Sequence, residues 1–343
     1  MTLSESSSAA DRRSQIVADV DFDRDGKQAG NLAMPWSSHE SAYGQIQIPI
    51  VVVKNGDGPT MLYTAGTHGD EYEGQVALMR LARELEPASL RGRVIVVPAL
   101  NYPAAEAGRR TSPIDQGNLN RAYPGDPEGG PTAQIAWYVS SVLLRMATAY
   151  HDLHSGGSSL EYLEYAGLML CGDKDLDRRG LDLLQAFAPP IGVVRKARDG
   201  RAAQPSAHRL GVVALGGEFG GRGGLSCHGL GIIETGIRNQ LRHLGILPGW
   251  TPPKPTTPTR LMTWTGREGF VYAPAPGVFE PRADLGEEVV AGQPAGLLHF
   301  IEEPTRAPLE LRFAVPGMVI CRRAPARCRR GDCLAHLAAP WNG

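Results

Sequence analysis

Apolar and polar positions follow two different periods along this chain. Residues 60–67 and 92–101 are short apolar runs with β-branched side chains, which predict buried strands. Residues 74–85 lie between them and place apolar side chains at helical spacing, so the three segments predict a strand, helix, strand unit. By the same criteria we expect helices over 132–146, 175–188 and 231–247, with Thr132 as an N-cap, and further strands over 43–54, 147–155 and 210–220.

This order of elements predicts the fold class α/β, with a mostly parallel mixed sheet flanked by helices. The connection over residues 102–131 is longer than most loops, which indicates a functional loop. Five prolines within residues 248–260 disfavour regular structure and predict an extended linker. We therefore divide the chain into an N-terminal extension with a first strand region (1–44), an α/β domain (45–247), the linker and an all-β module (261–343).

The C-terminal module consists of short strand patterns interrupted by glycine and proline. Its stretches GVFEPRADLGEEVVAGQPAG and VPGMVICRR resemble the barrel-sandwich module of biotinyl and lipoyl carrier domains. Such carriers attach their cofactor to a lysine, but the chain contains no lysine after Lys254. A carrier role is therefore excluded, and we expect the module to pack on the α/β domain or to cover it.

The charges of the chain nearly balance, because 35 lysines and arginines stand against 36 aspartates and glutamates, for a formal net charge of -1. No run of basic residues is interleaved with aromatic ones, so a nucleic-acid partner is not expected. The N-terminus is polar where a secretory signal needs an apolar core, and no stretch approaches the roughly 20 apolar residues that span a bilayer. We therefore expect a soluble, cytoplasmic protein without a membrane partner.

The five cysteines form an odd set without the density of a disulfide scaffold, so reduced thiols are expected. Cys321, Cys328 and Cys333, together with His336, have residue types that could hold a second metal ion. Core thiols without a metal are the alternative at this spacing.

Several predicted strands end in unusual polar groups: His68 and Glu71 follow one, His154 follows another, and Glu218 ends a third. Ligands of open α/β sheets bind outside the carboxyl ends of strands, so these side chains are expected to share one crevice. His68 and Glu71 are three residues apart and, with His154, form a His, Glu, His set typical of catalytic zinc sites, which keep a position free for water. Histidines satisfied in a core or loop are the alternative interpretation.

Other polar residues near these strand ends have two interpretations each. Asp152 lies on the same side of its strand as His154 and could orient it, or could simply bond backbone amides. Glu218 lies between glycines at the end of an apolar strand, where burial should raise its pKa and suit it to proton transfer. An ion pair with Arg222 is the alternative for Glu218, and Glu234 is a rival base within a predicted helix.

The long loop carries Arg109, Arg110, Asn120 and Arg121. Arginine binds carboxylates through two parallel hydrogen bonds and can stabilise a developing oxyanion. The loop is therefore either a substrate clamp or a solvated basic surface.

The motifs HGDEYEG, RTSPIDQGNLNRAYPG, DLHSGG, GGEFGG and IRNQLRHLGIL, in this order, resemble the succinylglutamate desuccinylase/aspartoacylase family of zinc deacylases, which is related in fold to the zinc carboxypeptidases. The resemblance covers residues from about 21 into the C-terminal module. Phe219 stands where the family usually has leucine after the base. The resemblance implies one zinc ion per chain on His68, Glu71 and His154, carbonyl polarisation by Arg110, carboxylate binding by Asn120 and Arg121, and Glu218 as general base.

The N-terminal segment and the long loop further resemble the N-acetyl-diaminobutyrate deacetylases of ectoine breakdown. This implies hydrolysis of the amide bond of an N-acyl amino acid, with N-acetyl-L-2,4-diaminobutyrate as the first substrate to test. Glu161 could attract a cationic substrate amine, and we include it among the substrate-binding candidates. Deacylation of another N-acyl amino acid, a zinc carboxypeptidase and a non-catalytic binding protein stay open as alternatives. The oligomeric state is not fixed by the sequence, and a homodimer is compatible with it.

Overall fold

A large mixed sheet with helices on both faces dominates the computed structural model, which describes residues 13–196, 200–254 and 257–343. Parts of the predicted N-terminal extension and of the predicted linker lie outside the described residues. The strands up to residue 218 are β1 (Val17–Ala18), β2 (Gly26–Pro35), β3 (Gln45–Asn55), β4 (Thr60–Ala65), β5 (Gly92–Val97), β6 (Ala149–Leu153), β7 (Leu160–Tyr162), β8 (Tyr165–Leu170), β9 (Ile191–Lys196) and β10 (Val213–Glu218).

The centre of the sheet is parallel, and an antiparallel strand borders it on each side. In the order β5-β4-β6-β10 each strand runs parallel to its neighbour, because helical crossovers return the chain to the same edge. β3 joins β5 antiparallel on one side, and β8 joins β10 antiparallel on the other. The carboxyl ends of β4, β6 and β10 therefore lie side by side, as the predicted crevice requires.

Helices cover the two faces of this sheet. The helices are α1 (Tyr72–Glu84), α2 (Tyr102–Glu106), α3 (Pro131–Tyr138), α4 (Leu144–Met146), α5 (Lys174–Phe187), α6 (Ala203–His208) and α7 (Cys227–His243), and a π-helical segment over Val139–Leu143 joins α3 to α4. One core packs α1, α5 and α7 against alternate strand residues such as Met61 and Tyr63, and the other packs α3, α4 and α6 against the intervening residues such as Leu62.

The starts of α3 and α7 depart from the sequence prediction for identifiable reasons. α3 begins at Pro131 after Gly130, so the assignment of Thr132 as N-cap is wrong. Proline suits the first helical position because its φ is fixed and its missing N–H is not needed there. The Thr132 N–H and hydroxyl instead donate to Asp115 from the preceding loop, each at 2.8 Å. α7 begins earlier than residue 231, because Ser226 caps it by accepting from the Gly229 N–H.

The chain after residue 257 is all-β apart from a short 3-10 turn. Its strands are β11 (Arg260–Trp264), β12 (Phe270–Tyr272), β13 (Gly277–Pro281), β14 (Glu288–Val289), β15 (Pro294–His299), β16 (Leu309–Arg312), β17 (Gly317–Arg323), β18 (Arg327–Cys328) and β19 (Cys333–Pro340). β11 lies between β9 and β19, so this segment continues the large sheet beyond β9, and a second antiparallel sheet has the order β16-β15-β13-β18. β17 also pairs with β7.

Candidate active site

His68, Glu71 and His154 converge at the carboxyl ends of β4 and β6. The Nδ1 atom of His68 lies 2.7 Å from Glu71 Oε1, and Nδ1 of His154 lies 2.8 Å from Glu71 Oε2. One donor atom from each of the three side chains lies within 4.8 Å of the others, and all three residues are buried. Within the part of the chain that the structure describes, this is the one group of three or more such residues that could hold a metal ion.

The turn between β4 and α1 brings two of these donors together. Gly66 has a φ of +66°, and a Cβ on Gly69 would clash with the backbone carbonyl of Ala104, so the turn needs glycine at both positions. Glu71 is the N-cap residue of α1, yet its side chain makes no cap hydrogen bond. The Glu71 carboxylate is therefore free to face the histidines.

Hydrogen bonds on the far side of each imidazole fix its orientation. Nε2 of His154 lies 2.8 Å from Asp152 Oδ2, and Nε2 of His68 lies 3.1 Å from Asn118 Oδ1. Asp152 is itself held by the hydroxyls of Thr64 and Thr67, at 2.6 and 3.0 Å from its Oδ1. Oxygen acceptors at both Nε2 atoms favour the tautomers in which the Nδ1 lone pairs face the centre. Asp152 has the orienting position that the sequence suggested as one of two alternatives.

This donor set fits a metal ion. Burial alone would raise the pKa of Glu71, but His68 and His154 hold that pKa well below its usual range, so the carboxylate is ionised. Two imidazole nitrogens and one carboxylate oxygen are the ligand types of catalytic zinc sites, which use three protein ligands. The geometry thus supports a metal site on the residues that the sequence singled out.

Glu218 lies beside this cluster as the last residue of β10. A backbone bridge joins it to His154, since the His154 N–H donates to the Gly217 carbonyl and the Phe219 N–H to the His154 carbonyl. Glu218 Oε2 is buried without a hydrogen-bond partner in the described residues. Burial and then the nearby Glu71 charge raise the pKa of Glu218 to about 8.

The predicted loop residues reach the site to different extents. Nη1 of Arg110 lies 3.4 Å from His68 Nδ1 and 3.5 Å from Glu71 Oε1, with its side chain 47% exposed. Asn120 lines the pocket that contains His154 and Glu218. Arg121 is exposed, and its Nη1 donates to the backbone carbonyl of Asn120 at 2.8 Å.

A model of the succinylglutamate desuccinylase/aspartoacylase catalytic domain matches residues 57–244, more than half of the chain. The chain belongs to this family. It is 40% identical over 328 residues to the N-alpha-acetyl-L-2,4-diaminobutyric acid deacetylase of Halomonas elongata, which covers 95% of this chain and 96% of that protein. The resemblance inferred from the motifs is therefore confirmed.

Solved structures agree with this family assignment. The product-bound ectoine utilization protein EutE (DoeB) from Ruegeria pomeroyi is 37% identical with a TM-score of 0.92, and it covers 96% of this chain and 100% of its own. The succinylglutamate desuccinylase/aspartoacylase from Rhodobacter sphaeroides is 40% identical with a TM-score of 0.91 and the same coverage. The predicted α/β fold class is thus confirmed.

Glu161, the third substrate-binding candidate, pairs with two arginines that do not line this pocket. Its Oε2 lies 2.9 Å from Arg322 Nε and its Oε1 lies 3.4 Å from Arg222 Nη1. Both carboxylate oxygens are therefore occupied, and Glu161 does not line the pocket with Glu218. The ion pair between Arg222 and Glu218, the alternative considered from the sequence, is not formed in the described residues. The rival base Glu234 pairs with Arg80 at 2.8 Å.

Two further acids next to the ligands anchor the surrounding loops. Asp70 Oδ2 accepts from both the N–H and the hydroxyl of Ser158, each at 2.8 Å, which ties the loop after His154 to the first turn. Glu73 is buried, and its Oε1 accepts from the Ser226 N–H at 3.0 Å, at the start of α7. These acids hold the segments that carry His68, Glu71, His154 and Glu218 in one place.

Several residues of this site were not predicted from the sequence. Asn118, which bonds His68, stands in the motif GNLNR two residues before Asn120, so an amide near a ligand loop was the available signal. Gln204 and Arg195 line the pocket from α6 and β9, and only the tertiary structure brings them there. Cys321, Cys328, Cys333 and His336 do not form a second metal group among the described residues.

None of the helices in the described ranges is long and apolar enough to cross a membrane. The cytoplasmic location, the absence of a nucleic-acid partner and the homodimer stay predictions, as do the domain boundaries.

Proposed function

We propose that this protein is a zinc-dependent amidohydrolase that removes the acetyl group of N-acetyl-L-2,4-diaminobutyrate in ectoine degradation. The observation that carries the proposal is the convergence of a His, Glu, His cluster with the carboxyl of Glu218, whose Oε2 has no hydrogen-bond partner in the described residues. The choice of this substrate is supported by the 40% identity, over nearly the full length of the chain, to a deacetylase named for that compound. Other N-acyl amino acids are the next substrates to test.

The metal would be held by His68, Glu71 and His154. A zinc ion there supplies Lewis-acid activation of water and of the acyl carbonyl at neutral pH. Asp152 and Asn118 keep the Nδ1 atoms turned toward that position.

Glu218 acts as the proton carrier. Its Oε2 has no other partner in the described residues, so it can accept a proton from the attacking water and then donate that proton to the departing amine. Burial raises the pKa of this carboxyl, which favours the protonated form that donates to the amine. The products are a free carboxylate and a free amine.

Arg110 and Asn120 act on the substrate. The guanidinium of Arg110 lies next to the ligand atoms, where it can donate to the negative charge that develops on the carbonyl oxygen. Asn120 lines the pocket and, with Arg121, is proposed to hold the substrate carboxylate.

The test is acetate or succinate release from a panel of N-acyl amino acids, before and after chelation and after zinc is added back. The panel contains N-acetyl-L-2,4-diaminobutyrate, N-acetylaspartate, N-succinylglutamate and a peptide with a free C-terminus. We expect hydrolysis of the first substrate that is lost with the chelator and restored by zinc. Failure of the zinc-loaded protein to cleave any acyl substrate would refute the proposal, and cleavage of the peptide alone would replace it with a carboxypeptidase.

Arg110→Ala tests the assignment of that arginine. Removing one donor to a developing oxyanion typically costs about 10²- to 10³-fold in kcat, and we expect a loss in this range without loss of zinc. Arg109→Ala is the matched control, since the exposed side chain of this neighbouring arginine makes no hydrogen bond or ion pair within the described residues. Equal kcat for the Arg110 variant and the wild type would remove Arg110 from the mechanism.

A further inference from the structure

The pocket that contains Glu218 also contains a buried amide with a free acceptor. Gln204 lies in α6, lines this pocket and is only 7% exposed. Its Nε2 donates to the Gly167 carbonyl of β8 at 3.3 Å. Because a carbonyl can only accept, this bond fixes which end of the amide is the NH2 group. Oε1 is buried and has no donor within the part of the chain that the structure describes, which indicates that a ligand supplies one.

The sheet leaves room for this amide beside the proposed base. Gly167 of β8 and Gly216 of β10 lie opposite each other in an antiparallel pair. A Cβ on Gly216 would lie 2.5 Å from Nε2 of Gln204, so the amide rests directly on the bare backbone of β10. Alternate residues of a strand project to the same face, and Glu218 is two residues beyond Gly216. Gln204 and Glu218 therefore share one face of the sheet.

A second amide in the pocket has the opposite group free. Asn120 lines the pocket, and its Oδ1 accepts from the N–H of Ala203 at 3.4 Å. This leaves the NH2 group of Asn120 for a ligand. Ala203 directly precedes Gln204, so the two amides lie side by side. The pocket thus offers a donor at Asn120 and an acceptor at Gln204.

The charged groups of the pocket have other roles. Both oxygens of Asp152 bond neighbouring side chains, and Glu218 carries the proton in the proposed function. Arg195 lines the pocket with its guanidinium stacked on Trp264, 3.8 Å from the ring centroid. Among the described lining residues two carboxyl groups thus face one guanidinium, so the lining does not exclude a cationic ligand. Oε1 of Gln204 is the side-chain acceptor without another task.

We propose that Gln204 determines the choice of substrate by accepting a hydrogen bond, through Oε1, from the free γ-ammonium of N-alpha-acetyl-L-2,4-diaminobutyrate. This inference rests on the proposed function, because it concerns the substrate of the same site. That substrate carries a carboxylate on Cα and an ammonium on Cγ, which match the free donor of Asn120 and the free acceptor of Gln204. A carboxylate at the end of the side chain would instead meet Oε1 with like charge and bind more weakly.

The experiment compares four substrates that differ only at the end of the side chain. N-alpha-acetyl-L-2,4-diaminobutyrate ends in an ammonium, N-acetylhomoserine in a hydroxyl, N-acetylnorvaline in a methyl group and N-acetylaspartate in a carboxylate. For the wild type we expect kcat/KM to fall in this order. Gln204→Met should lower the ratio of kcat/KM for the ammonium substrate to that for the methyl substrate by roughly 10- to 100-fold, since hydrogen bonds to charged groups are worth that much. Gln185→Met is the matched control, because Gln185 is exposed on α5.

A second variant separates recognition from packing. Gln204→Met also removes the hydrogen bond to the Gly167 carbonyl, and a purely structural role of that bond would change kcat/KM for both substrates equally. Gln204→Glu keeps an oxygen at the end of the side chain and should keep most of the wild-type ratio. Melting curves show whether each variant is folded before the kinetics are read. If neither variant folds, the order of the four substrates on the wild type decides the test.

The outcomes separate this inference from the proposed function. If the zinc-loaded wild type cleaves none of the four substrates, the proposed function fails. If the wild type cleaves the ammonium and methyl substrates equally well, or if Gln204→Met keeps the wild-type ratio, the inference is overturned and the deacylase activity stands. A lower ratio in Gln204→Met, retained in Gln204→Glu and unchanged in Gln185→Met, supports the inference.

Discussion

Glu218→Gln tests the physical basis of the proposed general base. The substitution keeps the shape of the side chain and removes its ability to ionise, at a site where Oε2 is buried without a partner in the described residues. It should lower kcat by about 10²- to 10⁴-fold, the usual contribution of general acid–base catalysis. It should also make the metal-free protein more stable near pH 7, because the variant no longer has to take up a proton or bury a charge on folding.

The sign and size of the stability change follow from the pKa. The folded protein raises the pKa of Glu218 from 4.5 to about 8. Because the folded pKa is the higher one, the protonated carboxyl favours folding below pH 4.5, and this contribution is lost as the pH rises toward 8. Each pKa unit is worth about 1.4 kcal/mol. The variant should therefore exceed the wild type by roughly 3 kcal/mol in free energy of unfolding near pH 7, and by little near pH 4.5.

Urea unfolding in the presence of a chelator measures the difference in free energy of unfolding between the variant and the wild type at several pH values between about 5 and 8. Glu234→Gln is a suitable control, because Glu234 pairs with Arg80 at the surface and its loss should cost less than about 1 kcal/mol at every pH. If the stability difference between Glu218→Gln and the wild type stays constant with pH, or shrinks as the pH rises, the assignment of a raised pKa to this carboxyl is refuted.

Three further substitutions probe the surroundings of the site. Asp152→Asn should weaken zinc affinity by about 10- to 100-fold in chelator competition, since the partner that orients His154 is replaced; unchanged affinity would leave Asp152 only a structural role. Gly69→Ala should destabilise the protein by about 1–3 kcal/mol in urea unfolding and reduce its zinc content, because a Cβ meets the backbone of Ala104; a fully stable, zinc-loaded variant contradicts the clash. Glu161→Gln should cost about 1–3 kcal/mol in the same assay through its charged hydrogen bonds, and a raised KM with no stability change would instead support its predicted role in substrate binding.

The helices and strands around the site could be read from the sequence wherever the hydrophobic period was long and regular. The unit from β4 to β5 and the helices α5 and α7 are of this kind. β8 and β9 were not predicted, because short apolar runs do not reveal which neighbour they pair with. The N-cap of α3 was misplaced because Asp115, a partner from the preceding loop, bonds the residue that the local pattern suggested as a cap.

The sequence by itself determined the residues of the His, Glu, His cluster that could hold a metal ion, because His68, Glu71 and His154 lie at the ends of strongly patterned strands, and parallel strands bring such ends together. It also determined the family, since the motifs and their order are properties of the chain. Only the tertiary structure decided the surroundings of Glu161 and Arg195. Their environments depend on arginine and tryptophan side chains of the all-β segment, and no local period encodes a contact between strands so far apart in the chain.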